Sequence, residues 1–128
     1  MISTKEINVL VLAYMGDTIY ERYIREHLIK SGISNVNDLQ KESINYVSAK
    51  SQAKFLTELV DKNILFSDEI DVVRRARNYR SGKHPKNCDI LTYKHATALE
   101  ALIGYLYFEN KIDRIDYVMN IILNMEDC

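Results

Sequence analysis

Apolar positions recur at helical spacing along almost the whole chain, and the breaks between stripes divide it into six segments. Ser3 and Glu6 stand at capping-box spacing, and a helical pattern follows through Lys30, with Gly32 placed to end it. Continuous, that helix would hold about 26 residues and run roughly 39 Å. Ile7, Leu10, Val11 and Tyr14 mark one apolar stripe, which Ile19, Tyr20, Tyr23, Ile24 and Leu28 continue. Between Val9 and Met15 the helix is apolar nearly all round, so this stretch should be buried on several sides or against a second subunit. A second helix is expected after Asn35, with Asp38 near its start and Ile44 and Val47 facing inward. Ser48 caps a third, with Ala49, Ala53, Leu56, Leu59 and Val60 as its stripe. Ser67, Asp68 and Glu69 open a fourth, with acids where the helix dipole favours them, and it ends in Arg74, Arg75 and Arg77.

Gly82, Pro85, Asn87 and Asp89 make the segment from Tyr79 to Leu91 a loop. A fifth helix starts at Thr92 or Tyr93, with Ala96, Leu99, Leu102, Ile103 and Leu106 inside, and a sixth runs from about Ile112 to Leu123. The single Pro and four Gly argue against hairpins. The expected class is all-α, one domain over residues 1–128, with a long N-terminal helix.

Composition adds exclusions. Apolar residues make up 47% and charged residues 27% of 128, the usual globular mix, which excludes a disordered tail or a fibre. Cys88 and Cys128 form neither a CxxC nor a framework, so reduced thiols in a cytoplasmic protein are expected. The N-terminus lacks a basic stretch followed by an apolar one, and no apolar run approaches the roughly 18 residues that span a bilayer. The net charge of −1 conceals an asymmetry: from Val72 to Cys88 there are Arg74, Arg75, Arg77, Arg80, Lys83 and Lys86 and no acid. That segment is either a solvated basic coat or a surface for a polyanion, and the absence of acids favours RNA or DNA.

Two carboxylates sit in otherwise apolar helices. Asp17 follows Gly16 in the first, and Glu100 lies among Ala98, Leu99, Ala101, Leu102 and Ile103 in the fifth. Taken singly, each is commonly a solvent-facing residue, Asp17 at a helix edge beside Arg22. Taken together, they repel across a core unless a cation lies between them, and Mg²⁺ often uses only one or two protein carboxylates. Beside a basic loop, that composes a phosphodiester-cleaving site. Glu21 shares a face with Asp17. Tyr79 and Tyr93 flank the basic segment and could stack on bases. His27, His84 and His95 are scattered and have no metal-ligand spacing.

Leu12-Ala13-Tyr14-Met15-Gly16-Asp17-Thr18-Ile19-Tyr20-Glu21 resembles the signature helix of the ribonuclease III endonuclease domain. Tyr46-Val47-Ser48-Ala49-Lys50-Ser51-Gln52-Ala53-Lys54, Arg74-Arg75-Ala76-Arg77-Asn78 and Ala98-Leu99-Glu100-Ala101-Leu102-Ile103-Gly104-Tyr105-Leu106 are similar to further blocks of that family, in the right order. The resemblance is strong to its short bacterial branch, Mini-ribonuclease III, which lacks a double-stranded-RNA-binding domain. It implies an all-α homodimer that cuts double-stranded RNA with Mg²⁺, or Mn²⁺ as substitute, leaving 5′-phosphate and 3′-hydroxyl ends. It implies that Asp17 and Glu100 are the metal ligands, with Thr97 and Glu21 supporting. Lys50, Lys54, Arg74, Arg77, Arg80, Lys83 and Lys86 would hold phosphates. The family role implied is maturation of the 23S ribosomal RNA precursor, aided by a large-subunit ribosomal protein. Two acids of the full-length family's pattern are absent: Ala13 and Thr97 stand in their places, as in the short branch. Those absences support the alternative of a non-catalytic RNA-binding or ribosome-assembly protein of the same fold. A plain helical interaction module is a third reading, and only the apolar first helix speaks for it.

Overall fold

The computed structural model describes residues 2–80, 86 and 88–125. Among the described residues there are six α-helices and no strand: α1 (Val9–Lys30), α2 (Val36–Val47), α3 (Ala49–Asp61), α4 (Ser67–Asn78), α5 (Ile90–Phe108) and α6 (Ile112–Leu123). No helix among them is long and apolar enough to cross a membrane.

The first helix is shorter than the pattern predicts. Ser3 caps only a single 3₁₀ turn, Thr4–Glu6, and Ile7 is extended. Asn8 then caps α1, its side chain accepting from the Leu10 N–H at 2.7 Å. Asn is among the strongest N-caps, and it outcompetes continuation of the upstream turn. The phase also differs. Val9, Leu12, Ala13, Gly16, Ile19, Tyr20, Ile24 and Leu28 are buried, whereas Val11 and Tyr14 point outward, Tyr14 at 82% exposure. At its far end Gly32 takes φ +106°, a conformation glycine supplies without strain.

In α2 the inward arc runs through Leu39, Tyr46 and Val47 and leaves Ile44 exposed. Ser48 caps α3 by accepting from Ser51 N–H, as its place before an apolar stripe predicts. Val60 falls on the rim of that stripe, and Phe55 is buried in it. The helix α4 starts at Ser67, but its capping group is Glu69, whose Oε1 accepts from the Phe66 N–H. Glu69 is buried and bridged by Arg114 of α6 at 2.7 and 2.8 Å, with the guanidinium also on the Ile64 carbonyl. The loop before α5 ends sooner than expected, because Asp89 caps Ile90–Phe108 by accepting from Thr92 N–H.

At the centre lies α5. Every residue from Ala96 to Gly104 except Glu100 is buried, and α1, α3, α4 and α6 pack around it. A helix apolar on all sides belongs in the middle of a bundle. Against α1 the approach is so close that a Cβ on Gly16 would stand 1.7 Å from the Glu100 carbonyl oxygen. One on Gly104 would stand 1.9 Å from that of Leu12. Only glycine permits two helix backbones to touch in this way.

Candidate active site

The glycine crossing brings the two anomalous acids together. Gly16 rests on the backbone of Glu100, and Asp17 is the next residue of α1. Asp17 is exposed and Glu100 is half-buried, so the pair lies at the mouth of the crossing rather than deep in the core. The Glu100 and Asp17 carboxyls stand within hydrogen-bond reach of each other, and Glu100 Oε2 accepts from Gln52 Nε2 at 3.5 Å. Burial pushes the Glu100 carboxyl up to about 9, the Asp17 carboxyl adds to the rise, and the Gln52 amide opposes it. Arg22, an alternative partner for Asp17 by sequence, pairs with Glu26 instead. Glu21 pairs with Arg25 and reaches Glu100 only through its charge. Thr97 lies one turn before Glu100, 8% exposed, and Ala13 lies buried one turn before Asp17.

Gln52 was not singled out from the sequence. It is 3% exposed, deeper than either acid. Its signal was positional: it falls at helical spacing between Ala49 and Leu56, inside the apolar stripe of α3. The corner that delivers α3 is tied to α1, because Tyr20 donates its hydroxyl to the Tyr46 carbonyl at 2.6 Å. Burial drives that phenol far above its usual range.

The basic residues are less uniform than the sequence suggests. Lys50 is exposed and Lys54 half-buried on α3, the helix that carries Gln52. Arg74 and Arg75 both pair with Asp71, which stands just upstream of the acid-free stretch, so Arg74 is partly neutralised. Arg77 is half-buried, Arg80 and Lys86 are exposed, and none of these three has an ion pair among the described residues. Lys83, His84 and Cys128 lie outside the described residues; Cys88 is a free thiol. Tyr79 is packed against the core with its hydroxyl accepting from Asn8, which opposes a base-stacking role. His27 meets the Tyr46 ring edge-on, and His95 Nδ1 contacts the Leu91 carbonyl.

A family model of the ribonuclease III domain matches residues 10–111, a span that holds both helices of the glycine crossing. The chain belongs to the ribonuclease III family. It is 50% identical over 108 residues to Mini-ribonuclease 3 of Brevibacillus brevis, covering 84% of this chain and 79% of that one. It is 37% identical over 120 residues to Mini-ribonuclease 3 of Streptococcus pneumoniae, covering 94% of each. A crystal structure of a protein from Fusobacterium nucleatum superposes with a TM-score of 0.81 at 33% identity, covering 92% of this chain and 93% of that one. Membership places the chain among ribonuclease III-type endoribonucleases, a family that uses divalent metal ions.

The site's donors suit such an ion. Among the described residues no group of three or more His, Cys, Asp or Glu side chains comes together. Two carboxyls at a helix crossing, with no thiol or imidazole, are a hard oxygen set of the kind Mg²⁺ and Mn²⁺ accept. The remaining positions of such an ion go to water and phosphate oxygens. Burial and the neighbouring Asp17 carboxyl both disfavour the charged form of Glu100, and a cation between the two acids would relieve that repulsion.

Proposed function

We propose that the protein is a metal-dependent endoribonuclease that cuts double-stranded RNA, with Asp17 and Glu100 holding Mg²⁺, for which Mn²⁺ can substitute. The observation that carries this reading is the meeting of these two carboxyls where α1 and α5 touch at Gly16 and Gly104. A divalent ion bound there supplies polarisation of a phosphate oxygen and a water of lowered pKa. The chain itself does the rest. Asp17 and Glu100 place two anionic oxygens at the mouth of a rigid crossing. Glu21 adds negative charge on the same face of α1, and Thr97 offers a hydroxyl one turn before Glu100. Lys50, Lys54, Arg77, Arg80, Lys83 and Lys86, with Arg74 weakened by Asp71, hold backbone phosphates of the duplex. A-form RNA hides its bases in a deep groove, so shape and 2′-hydroxyls guide selection. The products are 5′-phosphate and 3′-hydroxyl ends.

Residues 1–128 act as one catalytic domain, and two copies pair through the outward face of α1, where the large apolar side chains of Val11 and Tyr14 are exposed. A two-fold dimer presents one site to each strand of a duplex. The substrate we propose, as the family resemblance implies, is the 23S ribosomal RNA precursor, cut in the cytoplasm with a large-subunit ribosomal protein as helper. The experiment is direct: incubate structured duplex RNA with the protein in Mg²⁺ or EDTA, and repeat with Asp17→Asn. Metal-dependent cutting that Asp17→Asn abolishes supports the reading. Binding without cutting in both metal conditions replaces it with the non-catalytic RNA-binding protein.

A further inference from the structure

Gln52 stands where an apolar side chain would fill the space. It is 3% exposed, on the inward stripe of α3, one turn before buried Phe55 and Leu56 and two before Leu59. A buried amide costs free energy unless its polar atoms are partnered, so a residue of this kind in a stripe of Leu and Phe calls for a reason. Its Nε2 donates to Glu100 Oε2 at 3.5 Å. The N-terminal end of α3, one turn before Gln52, is fixed twice. Ser48 caps α3 through the Ser51 N–H, and Tyr20 fixes the preceding corner from a position one turn past Asp17. Three helices thus converge on one carboxyl: α1 with Asp17, α5 with Glu100 itself, and α3 with Gln52.

The last torsion of a glutamate is broad, so an unrestrained carboxylate samples many directions. A metal ligand needs one. A donor that occupies one oxygen sets the plane of the group and leaves the other oxygen in a fixed direction. The donor here is neutral. A lysine or arginine would restrain the carboxylate equally well but would add a positive charge where a divalent cation must enter. The amide restrains the ligand and leaves the negative charge of the acid pair intact.

We infer that Gln52 is a positioning residue for the metal site: its amide holds Glu100 Oε2 and orients that carboxylate for a hard divalent cation shared with Asp17. This rests on the reading of Asp17 and Glu100 as metal ligands. It is tested without RNA, by calorimetric titration of Mn²⁺ into the full chain as wild type, Gln52→Met, Glu100→Gln and the Gln52→Met/Glu100→Gln pair. Methionine keeps the length and volume and removes the donor. The expected result is a loss of about tenfold or more in Mn²⁺ affinity for Gln52→Met, the range seen when the partner of a ligating carboxylate is removed. Melting temperature in EDTA should change little, and the double variant should be no weaker than Glu100→Gln alone. Wild-type Mn²⁺ affinity in Gln52→Met, alongside lost affinity in Glu100→Gln, overturns the inference and leaves the metal reading standing. A lowered melting temperature with unchanged affinity also overturns it, as a packing role alone would give. No Mn²⁺ binding by the wild type, or unchanged binding by Glu100→Gln, removes the metal reading and the inference with it. Should Gln52→Met not fold, Gln52→Asn, which withdraws the amide by one methylene, carries the same expectation.

Discussion

Glu100→Gln should make the metal-free protein more stable while removing its metal site. In the folded chain burial, aided by Asp17, pushes this carboxyl up to about 9, against 4.5 for an ordinary glutamate. Between those pH values the folded state keeps a proton that the unfolded chain has released. Stability therefore falls as pH rises through that window. Each pH unit weighs about 1.4 kcal/mol, so at pH 7 the upper bound is roughly 3 kcal/mol. Access of water to the Asp17 side lowers this to about 1–3 kcal/mol. Gln has the same shape and no charge to desolvate. Urea unfolding in EDTA, at pH 4.5, 7 and 9, measures the difference. The two proteins should be nearly equal at pH 4.5. The variant should lead by about 1–3 kcal/mol at pH 7 and by more at pH 9. Saturating Mn²⁺ should then narrow the gap by stabilising only the wild type. If Glu100→Gln is the less stable at pH 9, or the two pH profiles run parallel, the Glu100 carboxyl is not the strained group described here.

Gly104→Ala should cost at least about 2–3 kcal/mol in the same unfolding assay, because the new Cβ would meet the Leu12 carbonyl at 1.9 Å and neither backbone can yield. An unchanged midpoint would show that α1 and α5 are not in backbone contact. Replacing Arg80, Lys83 and Lys86 together by Ala should weaken duplex RNA binding and flatten its salt dependence by a slope of about 2–3. Unchanged affinity would remove this segment from the RNA surface. Tyr14→Arg should yield a monomer in sedimentation at micromolar concentration, since Tyr14 is 82% exposed on the outward face of α1. A dimer that persists would place the subunit interface elsewhere.

The six helices were legible from apolar residues at helical spacing, and the meeting of Asp17 with Glu100 from the need of a charge inside an apolar run for a partner. The start of α1 was not legible, because Ser3 and Asn8 are both good caps, and only the packing of Val9 and Leu12 decides between them. The burial of Gln52 escaped notice because glutamine is usually a surface residue; its place at helical spacing between Ala49 and Leu56 was the clue. Ile44 and Val11 show the converse, since an apolar residue at the edge of a stripe can fall either side of it. The acid-free run from Val72 to Cys88 did not show that Asp71, one residue upstream, engages Arg74 and Arg75 one helical turn on.

Whether Asp17 and Glu100 share an ion is tested most directly by a crystal structure of the protein grown with Mn²⁺ and recorded at an energy that reveals manganese. The expected result is an anomalous peak within coordination distance, about 2.0–2.3 Å, of one oxygen each of Asp17 and Glu100. A peak bound elsewhere, with those two side chains still hydrogen-bonded to each other, would contradict it.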